Sequence, residues 1–381
     1  MHTKHTLRIA AALAAAGLAL TACGTTDSSE PAASGTGSDC PSGLKLAFLG
    51  AQTGDYANLG INISNGANVA LNEYNEANPD CKVTMQPFDS QGDPNQATKL
   101  ATQIIQDKSI IGVVGPAFSG ESGATGDAFN GAGLVTVSAS ATDPALTTHG
   151  WTTFHRVVAT DADQAPQVAK YLKDTAQAKK VFVIDDSSEY GKGLADGVRK
   201  GLGSLVTGSD AVQQKQTDFS ATVTKVTSSG ADAVFYGGYY AEAGLLTKQL
   251  RAAGYKGLFM SGDGSLDPGF IQAAGADAAN GAVLTCPCAP SKPDFTKKYK
   301  ADNDGAEPGT YSAEGYDAAN VMLTGIAEGN FTRADLLDWV NNFDAEGLTK
   351  HIKFDNGDVS TVVIYAYKVE GGKIQPGKPI K

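Results

Sequence analysis

Short, largely apolar runs alternate along this chain with longer stretches in which apolar residues recur every three or four positions. Leu44 to Leu49 reads as a buried strand, and in Ile61 to Glu76 the residues Ile63, Ala67, Ala70, Leu71 and Tyr74 mark one face of a helix. Lys82 to Phe88 then reads as a strand, Asn95 to Gln106 as a helix and Ile110 to Val114 as a strand. The pattern restarts later, with strands over Val181 to Ile184, Ala233 to Tyr236 and Leu258 to Met260, and helices over Gly193 to Leu202 and Ala241 to Ala253. Strand and helix in alternation predict α/β architecture: parallel βαβ units with helices on both faces. The restart, in a chain of 381 residues, predicts two doubly wound parallel-sheet lobes rather than one core.

Ligands on such sheets bind outside the carboxyl ends of the strands, so those ends are where candidate chemistry belongs. In the first set, V-V-G-P-A-F-S-G from Val113 and L-V-T-V-S-A-S-A-T-D-P-A-L up to Leu146 each run from an apolar strand into a small, hydroxylated turn. Each turn is expected to place Ser or Thr at a helix N-terminus. Free amides, two dipole ends and the hydroxyls of Ser119, Ser140 and Thr142 would then suit one carboxylate. In the second set, Asp185 to Gly191, Gly237-Gly238-Tyr239 and Ser261-Gly262-Asp263-Gly264 follow three strands. Tyr190, Tyr239 and Asp263 therefore point towards the same cleft.

The first residues change the picture of where the protein works. Lys4 and Arg8 precede the apolar run Ile9 to Leu20, and Leu20-Thr21-Ala22-Cys23 follows, the order of a secretory signal with residues 1–22 removed. The run is shorter than the roughly twenty residues of a membrane span. Residues 23–39 are rich in Gly, Ser, Thr and Pro and read as a flexible tether. A net charge of −11 argues against nucleic acid as a partner.

Beyond Cys23, the cysteines are Cys40, Cys81, Cys286 and Cys288, an even number suited to an oxidising compartment. Cys40 and Cys81 each precede a strand, and neighbouring parallel strands would bring them to one sheet edge to bond. Cys286 and Cys288 can close only a tight ring, and a metal site is disfavoured with two thiolates and no nearby histidine.

At these residues the chain resembles the leucine/isoleucine/valine-binding proteins of bacterial ABC importers, over nearly all of Leu44 to Tyr367. The matching segments are A-F-L-G-A-Q-T-G-D-Y-A-N-L-G, S-A-T-D-P-A-L-T, the D-x-D-Q-A-P run at Asp161 to Pro166, Y-G-K-G-L-A, D-A-V-F-Y-G-G-Y and F-M-S-G-D-G. The L-T-A-C at Cys23 resembles a lipobox, which makes Cys23 the lipidated first residue of a protein anchored to the outer face of the cell membrane. The resemblance implies a type I periplasmic-binding-protein fold with three hinge crossings, placed by position near Val158 to Ala159, Ala282 to Cys286 and Phe354 to Asp358. Residues 40–158 with 287–354 would form the first lobe, and 159–286 with 355–381 the second.

It further implies that Ser119, Ala141 and Thr142 hold a ligand carboxylate, that the Ser140 carbonyl and Asp263 receive the ammonium, and that Tyr190 and Tyr239 close over it. Leu59, Phe118 and Tyr316 would line the side-chain pocket. Two departures stand out. The best-known members carry glutamate at the Asp263 position, and they bridge by a disulfide the turns that here carry Gly92 and Phe118. Phe118 intrudes on the pocket wall, so a more restricted set of side chains is expected.

The function that follows is capture of a branched-chain or other apolar amino acid by lobe closure, by a monomer without cofactor, and delivery to a membrane permease. The alternative is a sensory receptor for amino acids or small amides. G-x-S-x-G, H-E-x-x-H and P-loop motifs are absent from the sequence, which gives no support to an enzyme.

Overall fold

The structure, a computed structural model, describes residues 40–360 and 362–380. The leader, Cys23 and the tether lie outside the described residues. In the first half the chain forms β1 (Lys45–Gly50), α1 (Ala57–Ala77), β2 (Thr84–Asp89), α2 (Pro94–Gln106), β3 (Ile110–Val114), α3 (Ser119–Gly131), β4 (Val135–Ser138) and β5 (Phe154–Arg156). These strands make a parallel sheet in the order β2-β1-β3-β4-β5. Every residue of β3 and β4 is buried, as expected where helices cover both faces.

The second half contains α4 (Asp161–Lys170), β6 (Val181–Asp185), α5 (Glu189–Leu202), β7 (Val206–Ala211), α6 (Ser220–Ser229), β8 (Ala233–Gly237), α7 (Tyr240–Ala252), β9 (Leu258–Ser261), α8 (Pro268–Ala274), α9 (Ala276–Ala279) and β10 (Val283–Cys286). Its parallel core has the order β7-β6-β8-β9-β10, the arrangement of the first sheet repeated. The chain then returns to the first half as α10 (Pro293–Asp302), α11 (Ser312–Ala327), α12 (Arg333–Asn341), β11 (Asp344–Glu346), β12 (His351–Asp355) and β13 (Asp358–Val359). It finishes on the second sheet with β14 (Tyr365–Glu370), β15 (Lys373–Ile374) and β16 (Lys378–Pro379), β14 lying antiparallel to β10.

Three boundaries differ from expectation. Ala282 to Cys286, expected as the second hinge, holds strand β10, paired with β9 and β14 of the second sheet, so that crossing follows Cys286. Residues 355–359, expected at the start of the second lobe, instead turn back as the β12–β13 hairpin against β5. Gly357 accepts from the Arg156 amide and Asp358 Oδ1 from Arg156 Nε at 2.6 Å, so the third crossing follows Val359. Helix α5 begins at Glu189 rather than near Gly193, because the Ser188 hydroxyl caps it by accepting from Gly191 N.

Both cysteine pairs are disulfides, Cys40–Cys81 beside the β1–β2 edge and Cys286–Cys288 at the second crossing. Helices α1 and α11 approach until their backbones touch: a Cβ on Gly66 would collide with the Ser312 carbonyl, and one on Gly315 with that of Ile63. That contact brings the starts of both helices to the cleft between the sheets. Among the described residues no helix is long and apolar enough to cross a membrane.

Candidate functional site

The cleft holds a small cavity of about 20 Å³, lined by residues that follow strands of both sheets. From the first half come Phe118, Ser119 and Ser140, beyond β3 and β4, with Leu59 and Ile63 from α1. From the second come Tyr190, Tyr239 and Asp263, beyond β6, β8 and β9. Seven of the ten residues picked out from sequence, Leu59, Phe118, Ser119, Ser140, Tyr190, Tyr239 and Asp263, thus meet on one cavity.

The two hydroxylated turns are sewn together. Ser138 Oγ donates to the Pro116 carbonyl at 2.7 Å, Ser140 Oγ to that of Ala117 at 2.5 Å, and the Asp143 amide to Ser119 Oγ at 3.2 Å. Three details differ from the sequence reading. Only α3 offers a helix N-terminus, because Pro144 turns the second segment into a four-residue 3-10 helix capped by Asp143. The Ala141 amide, expected on the ligand, donates to Ser138 Oγ at 3.0 Å. Ala141 and Thr142 are fully buried and do not line the cavity. The Thr142 hydroxyl is nevertheless without a hydrogen-bond partner, an unused donor at the edge of the site.

Arg156, which sequence reasoning passed over, fixes the second turn. Fully buried, its Nη1 donates to the carbonyls of Ala141 and Asp143 at 3.0 and 2.7 Å, while Nε pairs with Asp358. A planar guanidinium serves several acceptors in fixed directions, which a lysine cannot reproduce. With both carbonyls turned towards Arg156, the Ala141 to Asp143 turn is tied to the hairpin at the third crossing.

On the opposite wall Asp263 accepts from two phenols, Tyr190 Oη to Oδ1 at 2.9 Å and Tyr311 Oη to Oδ2 at 2.7 Å; Tyr190 Oη in turn accepts from the Gly264 amide. Burial pushes the Asp263 carboxyl above its usual range, and the two phenols pull it partway back. Asp161 lies close by, fully buried, with neither carboxylate oxygen in a well-formed hydrogen bond and the Thr142 hydroxyl its neighbouring donor. Burial first, then the charge of Asp263, push Asp161 well up. Two adjacent acids, one held by phenols and one bare, make an electrostatic site that a cation relieves.

Tyr311 takes the place given to Tyr316. Tyr316 stands five residues further along α11, on another side of the helix, where its hydroxyl donates to Glu73 at 2.6 Å and its ring meets Phe295. Tyr311 precedes α11 with a left-handed backbone (φ 66°) and is buried. Its only sequence signal was a Gly- and Pro-rich approach, Gly305 to Gly309, before a helix. Asp161 stood inside the quoted D-x-D-Q-A-P run but no role was read from it.

Three rings cap the apolar end. Tyr56 and Tyr239 have centroids 4.6 Å apart, and Phe118 lies 5.5 Å from Tyr239 and 6.2 Å from Tyr56. The halves are also latched by polar bonds, Tyr56 Oη to Glu242 at 2.9 Å and Asn58 Nδ2 to Asp267 at 2.8 Å.

Comparison with known proteins agrees with this geometry. The model of the periplasmic binding protein family matches residues 43–373. A Leu/Ile/Val-binding protein of Rhizobium johnstonii is 32% identical over 344 residues, covering 87% of this chain and 93% of that one. The leucine-specific-binding protein of Salmonella typhimurium is 33% identical over 250 residues, 64% of this chain and 67% of its own. The branched-chain amino acid transporter substrate-binding protein of Streptococcus pneumoniae, solved with isoleucine, superposes with a TM-score of 0.83 at 26% identity, covering 89% of this chain and 99% of that one. With two like-ordered sheets, three crossings and a cavity between their strand ends, the chain belongs to the leucine/isoleucine/valine-binding protein family of periplasmic binding proteins.

Proposed function

We propose that this protein captures a free apolar α-amino acid in the cleft and hands it to an ABC permease. The observation that carries the reading is Asp263, buried and held by two phenols on one wall of a cavity whose other wall is the Ser119 and Ser140 turns. Asp263, with Asp161 beside it, receives the ammonium. Ser119, the α3 N-terminus and, after a small turn adjustment, the Thr142 hydroxyl and the Ala141 and Thr142 amides receive the carboxylate. The Ser140 carbonyl is a further acceptor for the ammonium. Charge-assisted hydrogen bonds contribute about 1.5–3 kcal/mol each, so a few of them reach the roughly 8 kcal/mol of micromolar binding.

The side chain lies among Leu59, Ile63 and Phe118 under the Tyr56, Phe118 and Tyr239 rings. The space left between the latched halves is about 20 Å³, room for little more than one water, so an amino acid enters when the halves part. Closure is favoured because the ligand touches both halves, and the Tyr56–Glu242 and Asn58–Asp267 bonds form with it. A thermal-shift panel of the twenty amino acids, followed by calorimetry, tests this; stabilisation by none of them rejects it.

Anchoring follows the same reading: Cys23 carries the lipid and residues 24–39 let a monomer reach its permease. Cys23→Ala is expected to move the protein from the membrane fraction to the soluble extracytoplasmic one, and uptake into vesicles carrying the permease to fall with it.

A further inference from the structure

Behind the amino-acid cavity lies a second and larger opening of about 490 Å³, with Tyr311 forming part of both walls. It is bounded by the second crossing (Cys288 to Ser291), the approach to α11 and the chain after β15, so residues of both sheets face it. Its wall is mostly apolar and stiffened by prolines, including Pro268, Pro290 and Pro308. No lysine or arginine lines it.

One charged side chain on this wall lacks a match. Glu314, in the first turn of α11, is 1% exposed, and its Oε1 has no hydrogen-bond partner. Two other ionic groups lie near, Asp317 buried and Lys350 half-buried. Asp317 is already served by three donors, the amides of Leu348 and Thr349 and the Thr349 hydroxyl. Lys350 donates to the Val157 carbonyl at 2.9 Å and is the one cation shared by both acids. Two carboxyls against one ammonium leave a single negative charge uncompensated when all three are ionised, and Glu314 is the acid with a free oxygen. Burial accordingly pushes its carboxyl up to about 7.

The Ala289 amide, on the same wall, serves the Glu314 carboxyl, and its free oxygen can still accept a donor that brings its own positive charge and an apolar body. We propose that this opening is a second binding site, for a small amphiphilic cation such as a primary alkylamine, with Glu314 receiving the ammonium and the proline-rich wall the apolar body. The site is separate from the amino-acid cavity and shares with it only the Tyr311 partition.

The test holds the full chain at a saturating concentration of the amino acid that the thermal-shift panel identifies, or ligand-free if the panel finds none, and titrates n-butylamine, with n-butanol and butyrate as matched probes. Calorimetry is expected to give one amine per chain, with butanol and butyrate at least tenfold weaker. Glu314→Gln is expected to weaken the amine tenfold or more while leaving amino-acid affinity within twofold. Thr296→Trp, at a half-buried position of the same wall, is expected to block the amine without removing the carboxyl. Failure of butylamine to bind overturns the proposal, as does equal binding to Glu314→Gln, or competition with the amino acid, which would put the amine in the first cavity. The amino-acid panel reports on the first cavity independently, so either reading can fail alone.

Discussion

Tyr311 reaches Asp263 with its hydroxyl, 2.7 Å from Oδ2, out of a left-handed backbone at the start of α11. A non-glycine residue in that conformation is uncommon, and here the close contact of α1 with α11 holds it in place. The phenol thus joins the first-half helix to the acid of the second half. Tyr311→Phe removes one donor from Asp263 and is expected to weaken amino-acid binding by about 1 kcal/mol, roughly fivefold. Tyr316→Phe, which loses only the bond to Glu73, is expected to leave affinity unchanged. Calorimetry on the two variants separates them.

Asp263→Asn keeps the size of the side chain and removes the charge that an ammonium needs in a desolvated site. The loss is expected to be at least about 2 kcal/mol for a zwitterionic amino acid. Unchanged affinity by calorimetry would reject the ammonium assignment.

The regularity of the fold was legible because a parallel sheet covered on both faces writes each strand as a short apolar run, as in Ile110–Val114 and Ala233–Gly237. Ser119, Tyr190, Tyr239 and Asp263 were legible because they stand immediately beyond such runs. Tyr311 and Arg156 were not. Tyr311 lies before a helix rather than after a strand, and its place depends on α1 meeting α11 from 200 and more residues away in sequence. Arg156 reads as an ordinary charge at a strand end until Asp358 and the carbonyls of Ala141 and Asp143 surround it. Residues that fold back across the chain leave no local pattern.

Arg156 can be tested on that point. Arg156→Lys leaves at least one of the two carbonyls without its donor, and a buried carbonyl so left costs about 1–3 kcal/mol. Thermal unfolding is expected to show that loss together with weaker amino-acid binding, since the Ala141 to Asp143 turn is no longer held. Asp358→Asn keeps an acceptor for Nε but removes the charge paired with a fully buried guanidinium, and is expected to cost about 1.5–3 kcal/mol.

Cys40 and Cys81 close a loop across 41 positions of sequence. Chain entropy puts such a crosslink at roughly 4 kcal/mol. Replacing both by alanine is expected to lower stability in denaturant by about 2–4 kcal/mol without changing amino-acid affinity, because neither residue lines the cavity.

Glu121 gives the stability a dependence on pH. It is fully buried in the first turn of α3, accepts from the Phe118 amide through Oε2 and leaves Oε1 without a partner. Burial pushes its carboxyl up to about 8 from the ordinary 4.5. Below about 4.5 the acid is protonated in both folded and unfolded chains, and its contribution is fully present. As pH rises from there to about 8, the unfolded chain gives up the proton and the folded one keeps it. Stability therefore falls through that window, by at most about 1.4 kcal/mol per pH unit for this one group. Above about 8 both forms are ionised and the slope ends. Glu121→Gln keeps the shape and removes the titration, so thermal unfolding between pH 5 and pH 9 is expected to decline less steeply in the variant than in the parent. Identical slopes would mean that Glu121 is ionised in the folded protein and that its burial is offset by Ser90, the side chain that pulls its pKa back down.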